Sequence, residues 1–113
     1  MRRILIALAA LTTIAAPSMA GDCDGKVVKV KPISQYNHAT GTGFLAVRSG
    51  PGSNFQQIGE LYLGDRASVW DKSGNWLAVT CVSGRCRNPL WGQPSPQGWA
   101  HKSYLQLSGV CPR

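Results

Sequence analysis

Four cysteines, two histidines and five carboxylates are the side chains with the widest chemical repertoire in this chain, and their spacing decides what they can do. Cys23, Cys81, Cys86 and Cys111 form an even set in a small chain, which points to two disulfides made in an oxidising compartment. Three pairings are open. Cys81 and Cys86 flank only Val82-Ser83-Gly84-Arg85, a connection short enough for a hairpin end, and this favours joining them. Cys23 and Cys111 would then tie the two ends of the chain, which often lie close together in compact domains. Zinc is the rival use of these thiols. Cys-x4-Cys is unusual zinc spacing, and no second pair of cysteines or histidines completes a tetrahedron, so no metal is expected. Nucleophilic catalysis needs a free thiol beside a base, and paired cysteines leave none. His38 has no carboxylate nearby in sequence, and Asp22, Asp24, Glu60, Asp65 and Asp71 show no pair spaced for general acid–base work. Gly41-Thr42-Gly43 lacks the strand–helix context that gives a glycine loop meaning. These residue types favour binding over catalysis, and no cofactor is expected.

The amino end reads as an address. Arg2 and Arg3 precede an apolar run from Ile4 to Ala16, and Ser18-Met19-Ala20 offers small residues where a signal peptidase cuts. Residues 1–20 are therefore expected to be a secretory signal cleaved after Ala20, giving a periplasmic or secreted protein. The run is shorter than the roughly 20 apolar residues that span a bilayer, so no transmembrane anchor is expected after cleavage. A lipid-modified Cys23 is disfavoured because the residue before such a cysteine is normally small and uncharged, and here it is Asp22. The chain has 12 basic and 5 acidic residues, net +7; without Arg2 and Arg3 it has 10 against 5, net +5. That surplus suits an anionic surface, although scattered basic residues also fit an ordinary solvated face. Export argues against nucleic acid as a partner.

The elements that must position these groups are short. Lys26 to Lys31 alternates partly between basic and apolar residues, the period of a strand with one wet face, and Pro32 ends it or confines it to an edge. Ser34 to Thr42 is polar and rich in turn formers. Phe44, Leu45 and Val47 begin the next strand, and Gly50-Pro51-Gly52-Ser53-Asn54 is a turn. Ile58–Leu63, Arg66–Asp71 and Trp76–Thr80 are further strands, the last two joined by the hairpin chemistry of Lys72-Ser73-Gly74-Asn75. No stretch after residue 20 carries helical periodicity of useful length. Short strands separated by Gly and Pro point to an all-β fold, a small β-barrel.

Four blocks in order carry a resemblance: Leu45-Ala46-Val47-Arg48-Ser49-Gly50-Pro51, Gly59-Glu60-Leu61, Gly74-Asn75-Trp76-Leu77-Ala78-Val79 and Gly98-Trp99-Ala100-His101-Lys102-Ser103-Tyr104-Leu105. Over about residues 44–108 the chain resembles the bacterial SH3 domain (SH3b) family. The resemblance implies an SH3-like barrel of about five to seven short strands. Its first and last strands are neighbours, which strengthens the Cys23–Cys111 and Cys81–Cys86 pairing. The expected division is a strand and loop over 21–43, the SH3b-like domain over 44–108, and a tail over 109–113 tied by Cys111. The chain departs from the pattern at Ala46, where many relatives have Asn, and over 81–97. There an insertion with three prolines and a glycine in eight residues replaces a short crossing, and it displays Trp91 beside Arg85 and Arg87.

What the resemblance implies for function is non-catalytic recognition of peptidoglycan, a cell-wall peptide or an envelope protein, in a groove beside the first loop. Aromatic rings make the floors of such grooves and polar groups fix the peptide backbone. The aromatic candidates are Tyr36, Phe44, Tyr62, Trp70, Trp91 and Tyr104, with Arg85 and Arg87 as basic neighbours. Arg48 either braces the following turn or meets the ligand. Trp91 is either a contact or a lid on the core. Trp76 and Trp99 match structural positions, Tyr104 and Leu105 look like a closing pair, and His101 reads as a surface strand residue. An alternative is an inhibitor or interaction protein that presses the stiff insertion against a secreted or periplasmic partner.

Overall fold

Alternation builds the core. The computed structural model describes residues 22–113; the expected signal sequence lies outside the described residues. In β1 (Cys23–Val27) the first, third and fifth residues are buried, and in β2 (Leu45–Arg48) Leu45 and Val47 are. β3 (Gln57–Leu61) contributes Leu61, β4 (Arg66–Ser73) Ala67 and Val69, and β5 (Trp76–Ser83) Leu77, Val79 and Cys81. β6 (Gln97–His101) and β7 (Leu105–Gly109) add Ala100 and Leu105. All seven strands thus share one apolar cluster, and burial of such side chains stabilises by about 1.5–3 kcal/mol each.

The strands form one antiparallel sheet in the order β3-β2-β6-β5-β4-β1-β7. Among the described residues no ladder joins β3 to β7, so the sheet reaches a common core by curling rather than by hydrogen-bonded closure. Register shifts at Val47/Arg48, Arg66/Ala67 and Val69/Asp71 supply bends, since an extra residue on one strand tightens the local twist. Three short 3-10 turns, Ile33–Gln35, Arg85–Arg87 and Lys102–Tyr104, complete the described elements.

The first strand lies earlier than its alternation predicts. It pairs with β4 and β7 and stops at Val27, where the Val28 N–H goes to the Tyr104 carbonyl and Lys29 takes φ 67°. Tertiary hydrogen bonds override the Lys-Val repeat here, and the left-handed residue turns the chain away from the sheet.

The disulfides are Cys23–Cys111 and Cys81–Cys86, leaving no free thiol among the described residues. β1 opposes β7 with Cys23 facing Gly109, which brings Cys111 within 4.7 Å, Cα to Cα. The second bond closes the β5 end, where the buried Asp65 carboxylate accepts from the N–H groups of Tyr62, Arg85 and Cys86 at 2.8–2.9 Å. Burial pushes the Asp65 carboxyl above its ordinary value, against the pull of those donors and of the Arg85 charge.

The insertion does not dangle. Its backbone returns along the outer side of β3, where Gln93 N–H donates to the Ile58 carbonyl at 3.1 Å. It is further held by Cys81 N–H on the Pro96 carbonyl and Ser95 N–H on the Cys86 carbonyl. Gly59 makes this approach possible: a Cβ there would stand 2.5 Å from the Pro96 Cβ. An end strand is thereby partly covered, which blunts edge-to-edge pairing.

Candidate functional site

β3 presents two different faces. Leu61 points into the core, while Glu60 and Tyr62 face the 34–44 loop and the insertion. Glu60 is 0% exposed. Its Oε1 accepts from the hydroxyls of Tyr36 at 2.8 Å and Tyr62 at 2.7 Å, and its Oε2 from His38 Nδ1 at 2.7 Å. The Tyr62 hydroxyl in turn accepts from Leu90 N–H at 2.9 Å. One carboxylate therefore fastens the first loop through Tyr36 and His38, and the insertion through Tyr62. Buried charge is tolerated because every oxygen is satisfied.

An aromatic stack covers this network. The His38 ring lies 4.2 Å from Trp91 and 5.7 Å from Phe44, near parallel to both, and Tyr36 leans against Phe44 and Tyr62. Trp91 is 37% exposed, so it roofs the stack and also meets solvent.

The same loop walls a groove on its other side. About 590 Å³ of space is bounded by Gly41–Ala46, by Lys29–Lys31, by Arg48, Ser53 and Gln57, and by Trp76, His101 and Tyr104. Trp76 stands edge-on to His101 at 5.3 Å, and His101 to Tyr104 at 6.1 Å. Trp76 and Trp99, at positions expected to be structural, are both half-buried, and Trp76, as the first residue of β5, sits at the sheet's margin. The Arg48 Nη1 donates to the Phe55 carbonyl at 3.0 Å, so this residue both braces its turn and lines the groove. His101 Nδ1 accepts from Ser103 N–H, which caps the following turn.

The sequence candidates separate into three places. Phe44 and Arg48 line the groove together with Tyr104. Tyr36, Tyr62 and Trp91 gather around Glu60 and His38, with Phe44 shared between both sets. Trp70 stands apart, 45% exposed with its indole N–H on the Thr80 hydroxyl, and Arg85 and Arg87 flank the buried Cys86 at the disulfide end. Glu60 and His38 are the residues that sequence reasoning passed over. The two-residue spacing of Glu60 and Tyr62 on either side of Leu61 was the available signal for a second buried layer.

Both phenols titrate high. Burial, then the Glu60 hydrogen bond and charge, raise Tyr36 to about 12 and push Tyr62 higher still. The unfolded phenol loses its proton near 10. Between about pH 10 and 12 the folded chain thus holds more protons than the unfolded one, and stability falls as pH rises through that window. Denaturation midpoints against pH, with tyrosinate absorbance followed in parallel, should show Tyr36 ionising near 12 and Tyr62 higher, or both only on unfolding. An alkaline limb unchanged in Tyr36→Phe would exclude this source.

Among the described residues no group of three or more His, Cys, Asp or Glu is placed to hold a metal, and no helix is long and apolar enough to cross a membrane. The family model described as "Bacterial SH3 domain" matches residues 43–106. A curated relative from Bacillus subtilis (strain 168), named "Putative N-acetylmuramoyl-L-alanine amidase YrvJ", is 31% identical over 65 residues. That match takes in 58% of this chain and 10% of the relative, so the chain spans only a small part of that protein's length. No solved structure matches the chain significantly.

Proposed function

The chain belongs to the bacterial SH3 domain family, and from that premise we propose that it is a non-catalytic binding module that takes a cell-wall peptide in the Lys29–Phe44–Trp76 groove. The observation that carries this reading is the groove itself. Its volume lies within the range of small-ligand sites. Phe44, Trp76 and Tyr104 offer flat apolar surfaces, while Lys29, Lys31 and Arg48 offer donors that fix a peptide's orientation. The name of the matched relative refers to a wall-cleaving activity, which supports a wall ligand. Two disulfides fit an oxidising location outside the cytoplasm.

Retention on purified peptidoglycan at rising salt tests the proposal. Binding that weakens with salt but survives in part is expected from mixed aromatic and ionic contacts. Absence of retention at every salt concentration rejects it.

A second reading is favoured by one observation. Leu90 and Trp91 are exposed on a segment that a disulfide and several backbone hydrogen bonds hold still. A preorganised apolar pair of this kind suits a protein partner, because little freedom is lost on docking. Trp91→Ala removes a stack on His38 and no core contact, so it is expected to cost about 1 kcal/mol of stability. If the insertion is the contact, the same substitution abolishes capture of an envelope protein while the thermal midpoint moves little. A fall of more than about 3 kcal/mol would instead class Trp91 with buried core aromatics.

A further inference from the structure

We propose that the groove selects for free carboxylates, so that its ligand is a short acidic peptide rather than a neutral one. This rests on the peptide-binding reading above and names the chemistry that reading leaves open. Lys29, Lys31 and Arg48 line the groove, and no Asp or Glu does. Among the described residues none of these three is in an ion pair. All five acids lie elsewhere: Asp24 meets Arg66 at 2.6 Å, Glu60 lies buried under the first loop, Asp65 is buried at the disulfide end, and the exposed Asp22 and Asp71 are not among the groove's lining residues. Three uncompensated cations around one concave, partly aromatic site concentrate positive potential there.

The backbone sets where these cations stand. Among the described residues Lys29 is one of two non-glycine residues with positive φ, at 67°, a conformation that strains an L side chain. The bend, set by the Val28–Tyr104 hydrogen bond, leaves Lys29 and Lys31 both lining the groove. Arg48 is pre-oriented: one guanidinium N–H is fixed on the Phe55 carbonyl, and the rest of the fork stays available for a carboxylate. A peptide with two or more carboxylates, and an apolar body between them, matches cations set around Phe44, Trp76 and Tyr104. A bounded groove of about 590 Å³ fits a few residues better than a long phosphate polymer.

The test is calorimetric binding of the full exported chain to a synthetic wall stem peptide with free carboxylates, to the same peptide with those carboxylates amidated, and to inorganic polyphosphate. The free peptide is expected to bind at least about tenfold tighter than the amidated one, with a salt-dependent affinity. Lys29→Gly keeps the left-handed backbone and removes the charge; with Lys31→Gln it should weaken binding of the free peptide by about 3- to 10-fold per cation. Equal binding of free and amidated peptides overturns charge selection and leaves wall-peptide binding standing. Unchanged affinity in both lysine variants overturns it too. Polyphosphate competing as well as the free peptide would make the groove a general anion site and likewise reject the proposal. If neither peptide binds while intact peptidoglycan is retained, the groove is not the peptide site, and both readings of it fall.

Discussion

Replacing Cys23 and Cys111 by serine is expected to lower the unfolding free energy by about 4–5 kcal/mol. The bond closes a loop with a sequence separation of 88, and in the chain-entropy account a crosslink stabilises by restricting the unfolded chain, more so for longer loops. The Cys81–Cys86 bond, with a separation of 5, is worth only about 2 kcal/mol on the same account. Small domains rarely exceed about 5–15 kcal/mol in total, so loss of the terminal clamp removes a large share of what there is. Packing loss is secondary, because Cys111 is only partly buried, although Cys23 is fully so. Guanidinium titrations of the serine variant and of the oxidised protein would show the midpoint fall. The slope should rise, since an unclamped unfolded chain exposes more surface. A stability change below about 1 kcal/mol would mean that the unfolded chain keeps its ends close without the bond, so that the crosslink removes little freedom.

This clamp was legible in the residues, and so was much of the sheet. Period-two burial in β2 and in the first half of β4, and the Gly74-Asn75 turn between β4 and β5, are local properties that a strand's geometry enforces. Cysteine pairing followed because one pair was close in sequence and the other pair sat at the chain's ends. The path after Val27 was not legible. Lys26 to Lys31 keeps a partly alternating pattern, but the hydrogen bond from Val28 to Tyr104 joins residues far apart, and the bend at Lys29 follows from it. The candidate site was hidden for a related reason. Tyr36 and His38 reach Glu60 across 24 and 22 residues, and no spacing rule connects them. A list of exposed-looking aromatics therefore mixed residues that line the groove, such as Phe44, with Tyr62, which is buried and holds the insertion.

The second large effect belongs to that long-range contact. Glu60→Ala is expected to cost about 2–4 kcal/mol, because it strips the acceptor from three donors at once. Hydrogen bonds to a charged group contribute about 1.5–3 kcal/mol each in favourable cases, and donors left unsatisfied in a buried site add their desolvation cost. The sum is tempered by Tyr36 and His38, which are only half-buried and can turn to water, whereas Tyr62 cannot. Glu60→Gln separates charge from connectivity. Its carbonyl can still accept from both phenols, but its amide needs an acceptor where His38 Nδ1 now donates, so the imidazole must change tautomer. A loss of about 1 kcal/mol is expected for Gln, well short of Ala. The two variants should also differ at the groove, since the loop that Tyr36 and His38 anchor supplies the Gly41–Phe44 wall. Ala should loosen that wall and weaken peptide binding; Gln should preserve most of it. Chemical denaturation together with peptide titration of both variants would decide the matter. If Ala and Gln prove equally stable and bind equally, the carboxylate is a passenger in its pocket, and the loop is held by the aromatic stack of Phe44, His38 and Trp91 alone.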